Sequence, residues 1–123
     1  MSQIPIDFSV LKWYNVKVFY RKEGSGMVKP LHTEATENLF RSILALKTID
    51  ECYAFFEDVC TIKEVQDMSQ RLEVAKLLHE GKSYVQISEK TGASTATIGR
   101  VNKCLHYGAG GYRTLLEKSD REG

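Results

Sequence analysis

The stretch from Ser83 to Leu105, Ser-Tyr-Val-Gln-Ile-Ser-Glu-Lys-Thr-Gly-Ala-Ser-Thr-Ala-Thr-Ile-Gly-Arg-Val-Asn-Lys-Cys-Leu, constrains the fold more than any other part of the chain. Its spacing is that of a helix-turn-helix. Ile87 and Ser88 lie one turn before Gly92, Ile98 lies six residues beyond that glycine, and Val101 three beyond Ile98. Ser88 is small enough to let one helix cross close over the other. Gly92 can adopt the left-handed conformation that ends the first helix and opens a tight turn. Ile87, Ala93, Ile98 and Val101 supply the apolar contacts that fix the pair. Ser94 is placed to cap the second helix, leaving Thr95, Thr97, Arg100 and Lys103 on its other faces. A pair of this kind presents its second helix, here Ala93–Leu105, to the major groove of DNA.

The rest of the composition sets bounds on this reading. A chain of 123 residues with 42% hydrophobic and 27% charged residues is an ordinary globular protein, one domain or one domain with an arm. The net charge is only +1. Between Lys82 and Lys103, however, Lys82, Lys90, Arg100 and Lys103 face a single anion, Glu89, for a local charge of +3. A dimer would double that patch, which then suits counterion release at phosphates. Cys52, Cys60 and Cys104 form no Cys-x-x-Cys unit and are odd in number, which fits buried or half-buried thiols in a reducing compartment rather than a disulfide framework or zinc ribbon. His32, His79 and His106 lack metal-ligand spacing, so no metal site is expected. There is no apolar run of membrane-spanning length and no secretory start, which points to the cytoplasm.

Residues 1–30 differ in character from the remainder and are expected to form an extension, extended or disordered. Ile6–Tyr20 is rich in β-branched and aromatic residues, as in a strand or extended chain, and Arg21–Gly26 resembles a flexible linker. Met27 follows directly. Either Met27 is the natural start, with residues 1–26 translated from upstream sequence, or the extension is a genuine arm. From Leu31 the signals are helical. Leu39, Phe40, Ile43, Leu44 and Leu46 mark one amphipathic segment, and Thr48 or Asp50 can cap a second carrying Cys52, Tyr53, Phe55, Phe56 and Val59. Thr61-Ile62-Lys63-Glu64 is a capping box opening a third helix, with Val65, Met68, Leu72, Ala75 and Leu78 at core spacing as far as Gly81. Ser83-Tyr84-Val85-Gln86 is a second capping box. After the break at Gly108–Gly111, Tyr112–Lys118 reads as a sixth, final helix, with 119–123 a tail. The faces of the first two helices are too broad for the remaining chain to cover, which favours burial in a second subunit.

Residues 58–118 resemble the Trp repressor superfamily, and within it the YerC/YecD group of Trp-repressor-related proteins. The resemblance rests on Thr61-Ile62-Lys63-Glu64, on Arg71-Leu72-Glu73-Val74-Ala75-Lys76-Leu77-Leu78, and above all on Gly92-Ala93-Ser94-Thr95-Ala96-Thr97-Ile98-Gly99-Arg100. It implies a six-helix, all-α fold over residues 31–118, an intertwined homodimer, and operator binding by one helix-turn-helix per subunit. It also implies a co-repressor site between the third helix and the recognition helix, in which the indole of L-tryptophan lies between two arginines. Arg71 and Arg100 match those arginines, and Thr61 and Thr97 match the threonines that frame the site. Cys104 replaces a serine there. Val101 replaces a glycine beside the indole, Asp58 a leucine that helps enclose it, and the segment between Leu78 and Ser83 differs in length. These departures point away from tryptophan, toward another small-molecule co-repressor or none.

The DNA-binding residues expected on this basis are Lys82, Tyr84, Gln86, Lys90, Ser94, Thr95, Thr97, Arg100 and Lys103, and the candidate effector-binding residues are Thr61, Arg71, Thr97, Arg100 and Cys104. For Arg71, an ion pair with Glu73, Asp67 or a neighbouring helix is an equal alternative. Cys104 and His106 lie two apart on one helix and face away from each other, so no nucleophilic pair and no enzyme is expected. The function read from the sequence is a DNA-binding transcriptional regulator that represses its targets. A replication- or chromosome-associated DNA-binding protein, or a helical interaction module that does not meet DNA, are the alternatives.

Overall fold

The computed structural model describes residues 30–122, and the extended stretch, linker and alternative start expected over residues 1–29 lie outside them. Six helices and no strand occur among the described residues: α1 (Glu34–Leu44), α2 (Ile49–Val59), α3 (Ile62–His79), α4 (Tyr84–Thr91), α5 (Thr95–Tyr107) and α6 (Gly111–Glu122). The all-α expectation holds. The chain divides into two compact units at the Val59–Cys60 boundary.

In the first unit, Thr33 Oγ1 accepts from the Thr36 amide at 3.1 Å to start α1. Glu34 and Glu37 occupy the first turn, where the helix dipole favours anions, and Glu37 pairs with Arg41 one turn on. Of the two caps considered for α2, Thr48 is the one used, its Oγ1 accepting from the Glu51 amide at 3.0 Å. Neither helix buries a residue.

The second unit carries the core. Thr61 and Glu64 close the expected capping box on α3, at 3.0 and 2.8 Å. α3 then runs beneath α4, α5 and α6 and touches all three. Val74, Ala75 and Leu77 of α3 are buried with Ile87, Ala93, Ile98, Val101 and Leu116, and Leu78, Leu105 and Tyr112 pack against them. The inward face of α3 is therefore not the stripe expected from the sequence. Of Val65, Met68, Leu72, Ala75 and Leu78, only Ala75 is buried, and Met68 and Leu72 are 40% and 37% exposed. The helix is apolar on two faces, and the short helices above it cover only the one through Val74 and Leu77.

Two helix ends also differ from expectation. α5 spans Thr95–Tyr107 rather than Ala93–Leu105, because Ser94 is its cap and Ala93 belongs to the turn. α6 continues through Glu122, past the expected stop at Lys118 and through most of the expected tail. Leu116 anchors it in the core, and His79 Nε2 meets Asp120 Oδ2 at 2.8 Å across its last turns.

Candidate functional site

The helix pair α4–α5 is set by short-range hydrogen bonds. Ser83 Oγ accepts from the Gln86 amide at 3.1 Å while Gln86 Oε1 accepts from the Ser83 amide at 2.9 Å. Gly92 ends α4 with φ +76° and ψ 3°, and its amide donates to Ser88 O at 2.8 Å. Thr91 seals the turn from inside, donating to Ile87 O at 2.7 Å and accepting from the Ala93 amide at 3.1 Å. Gln70 of α3 donates to the Thr91 carbonyl at 3.2 Å, tying the turn to the helix below. Ser94 Oγ then accepts from the Thr97 amide at 3.1 Å and starts α5. Ile87, Ala93, Ile98 and Val101, the four residues assigned to hold the pair together, are all buried.

The residues expected at DNA divide into two sets. Lys82, Tyr84, Gln86, Lys90, Ser94, Thr95 and Lys103 are exposed. On α5, Thr95, Ala96, Gly99 and Lys103 follow one another at helical spacing and share the outward face. Gln86 already commits its side-chain oxygen to the α4 cap, and Ser94 donates to Thr97 Oγ1 at 3.1 Å. Thr97 and Arg100, by contrast, are half-buried, and Arg100 Nε is fully enclosed with no hydrogen-bond partner among the described residues. Arg100 thus turns toward the interior side of α5, away from the Thr95–Lys103 face.

Three of the five candidate effector residues, Arg71, Arg100 and Cys104, act electrostatically on one group of α6. Tyr112 of α6 is half-buried, and burial raises the pKa of its phenol above the ordinary 10.0. The Arg71 guanidinium lowers it, Cys104 adds to the rise, and Arg100 again lowers it. The Tyr112 hydroxyl therefore stands in the field of Arg71 from α3 and of Arg100 and Cys104 from α5, the last two one helical turn apart. Neither arginine forms an ion pair among the described residues, so the pairing of Arg71 with Asp67 or Glu73 is not made; Asp67 pairs with Lys63 at 3.0 Å. Thr97 lies one turn before Arg100 and is held by the Ser94 cap. Thr61 lies ten residues before Arg71, roughly 15 Å along α3 at the helical rise, and serves as the α3 cap. Tyr112 was missed in the sequence; its only local signal is a lone aromatic following a glycine-rich break.

His106 Nδ1 donates to Asn102 O at 2.9 Å, turning its imidazole to the backbone. No group of three or more metal-ligating side chains occurs among the described residues, and no described helix is long and apolar enough to cross a membrane.

Comparison with known proteins matches residues 34–120 to the Trp repressor protein family. YerC of Bacillus subtilis (strain 168), an uncharacterized protein, is 50% identical over 91 residues, covering 74% of this chain and 88% of the relative. Among solved structures, a TrpR-like protein from Eubacterium eligens ATCC 27750 is 58% identical with a TM-score of 0.72, covering 73% of this chain and 93% of its own. A candidate Trp repressor from Staphylococcus aureus is 43% identical, again with a TM-score of 0.72, covering 78% and 96%.

Proposed function

Because the chain belongs to the Trp repressor family, we propose that it is a sequence-specific DNA-binding transcriptional regulator that represses its targets in the cytoplasm as a homodimer. The observation that carries this reading is the outward face of α5. Thr95, Ala96, Gly99 and Lys103 are small or cationic, contain no carboxylate, and stand on a helix capped at Ser94 and seated on a fully apolar core. Side chains of these types suit base edges, thymine methyl groups and phosphates. Lys82, Tyr84 and Lys90 flank the same helix pair and are assigned to the phosphate backbone. No catalytic step and no bound cofactor is part of the proposal.

The homodimer is supported by apolar surface that each unit leaves uncovered. In the second unit Ile62, Met68 and Leu72 lie along the outer side of α3, with Ile62 76% exposed. In the first, Phe40, Leu44, Ile49 and Tyr53 are exposed. Several large apolar side chains left exposed in this way favour association.

The test is selection of bound duplexes from a random pool, followed by anisotropy on the selected operator across a salt series. Affinity should fall linearly on logarithmic axes, with a slope near −0.9 for each phosphate neutralised. Lys103→Ala should reduce that slope by about one, and Thr95→Ala should relax preference at one base position. No enrichment in the selection, or equal affinity at low and high salt, would remove DNA from the account.

A further inference from the structure

Helix α3 holds the helix-turn-helix in two places. The first is apolar: Val74, Ala75 and Leu77 of α3 are buried together with Ile87, Ala93, Ile98 and Val101 of the pair. Apolar burial is strong but non-directional, so alone it lets a short helix pair rock about the contact. The second is polar. Gln70, one turn before Val74 and about 6 Å from it along the helix, is half-buried and donates from Nε2 to the Thr91 carbonyl at 3.2 Å.

The acceptor sits where the pair bends. Thr91 is the last residue of α4, where a helix leaves its carbonyls without partners of its own. The Thr91 hydroxyl is committed inside the turn, to Ile87 O at 2.7 Å and the Ala93 amide at 3.1 Å, and the Gly92 amide donates to Ser88 O at 2.8 Å. The turn is thus closed by its own bonds, and Gln70 attaches the closed turn to the helix beneath. A hydrogen bond has a preferred angle as well as a distance, so this attachment resists the tilt that the apolar one permits. In the chain Gln70 stands between Met68 and Leu72, the exposed residues assigned above to the dimer contact. One short stretch of α3 therefore carries both the proposed subunit contact and the hold on the turn.

We propose that Gln70 is a positioning residue that sets the tilt of the helix-turn-helix on α3, and so the separation at which the two recognition helices of a dimer meet their half-sites. The part of this inference that concerns half-sites rests on the proposed function; the part that concerns the turn does not. The base edges read by each subunit belong to α5, so Gln70 governs spacing and leaves the half-site sequence alone. Successive base pairs are ~3.4 Å apart along the duplex, so a small rock at each recognition helix amounts to a whole step.

The experiment compares the full-length wild type with Gln70→Glu, which keeps the shape and removes the N–H donor, and with Gln70→Met, which keeps the length and removes the polar group. Two copies of the selected half-site are placed in duplexes at spacings on either side of one helical turn. The wild type should favour one spacing over its neighbours by about tenfold, the worth of one hydrogen bond, and both variants should lose that preference while selecting the same half-site sequence. Amide hydrogen exchange followed by NMR gives the second readout. Exchange at Gly92 and Ala93 should quicken by about tenfold in both variants, while the Ile98 amide, bonded to Ser94 O at 3.0 Å, keeps its wild-type rate. If Gln70→Glu does not fold, Gln70→Met carries the same expectations. Unchanged exchange at Gly92 and Ala93, a spacing preference kept in the variants, or an equal loss of affinity at every spacing would overturn the proposal. Should the wild type bind no duplex, the DNA reading falls, and the exchange measurement still decides whether Gln70 holds the turn.

Discussion

At the position of Tyr112 two influences compete over one proton, and the structure settles their balance. Burial of the phenol outweighs the pull of Arg71 and Arg100, so the folded-state pKa lies above 10.0. A group that holds its proton more tightly when folded contributes stability that is intact below the unfolded pKa. That contribution declines as pH rises through the folded value, because the unfolded chain ionises first. Wild-type and Tyr112→Phe proteins should therefore show a constant difference in urea midpoint up to about pH 10, after which the wild type loses ground. Parallel curves through that range would show that the phenol is not buried as described. None of this was legible in the sequence. Arg71, Arg100 and Cys104 could be singled out by resemblance, but 41 positions separate Arg71 from Tyr112, and only the packing of α6 brings the tyrosine among them. Arg100 shows the same limit from the other side. Periodicity put it on the recognition helix, but only the enclosure of its Nε separates it from the outward face.

Helices α3 and α4 begin where the sequence said they should, and α5 begins at its expected Ser94 cap though two residues after the expected Ala93, because a cap is a local contract between residues three apart. Thr61 with Glu64, Ser83 with Gln86, and Ser94 with Thr97 need no distant partner to form. The end of α6 is not legible locally, since its last turns meet His79, 41 positions before Asp120 in the chain. Within α5, Gly99 is out of keeping with its surroundings. Glycine in a helix interior costs about 0.5–1 kcal/mol relative to alanine, and a Cβ at this position would meet nothing within 4 Å. Nothing inside the chain requires the missing side chain, whereas a groove floor pressed against the Thr95–Lys103 face would. Gly99→Ala should accordingly raise Tm by a few degrees, at about 4–8 °C per kcal/mol for a domain of this size, while weakening operator binding. A variant that gains stability and keeps full affinity would place Gly99 outside the contact.

For the molecule as a whole, the telling element is α3. Its pattern gave a helix with correct limits, but a pattern cannot say which of two apolar faces turns inward, and here the folded unit covers Val74 and Leu77 rather than Met68 and Leu72. On the dimer reading the uncovered face meets a second chain. Leu72→Glu, which places a carboxylate in that contact, should sediment as a monomer and retain helical content in residues 60–122, since Leu72 lies outside the buried core. Wild-type sedimentation in this variant would move the interface elsewhere. On that reading, a helix that lines the interior with one face and the subunit contact with the other would join two equilibria that most proteins keep apart. Unfolding would then consume one assembled pair and yield two chains, so the melting temperature should climb with protein concentration. If the proposed dimer and the proposed DNA binding both hold, a cell that dilutes this protein by division would lower the folded fraction as well as the occupancy on a target, and transcription would answer to dosage more steeply than simple binding allows.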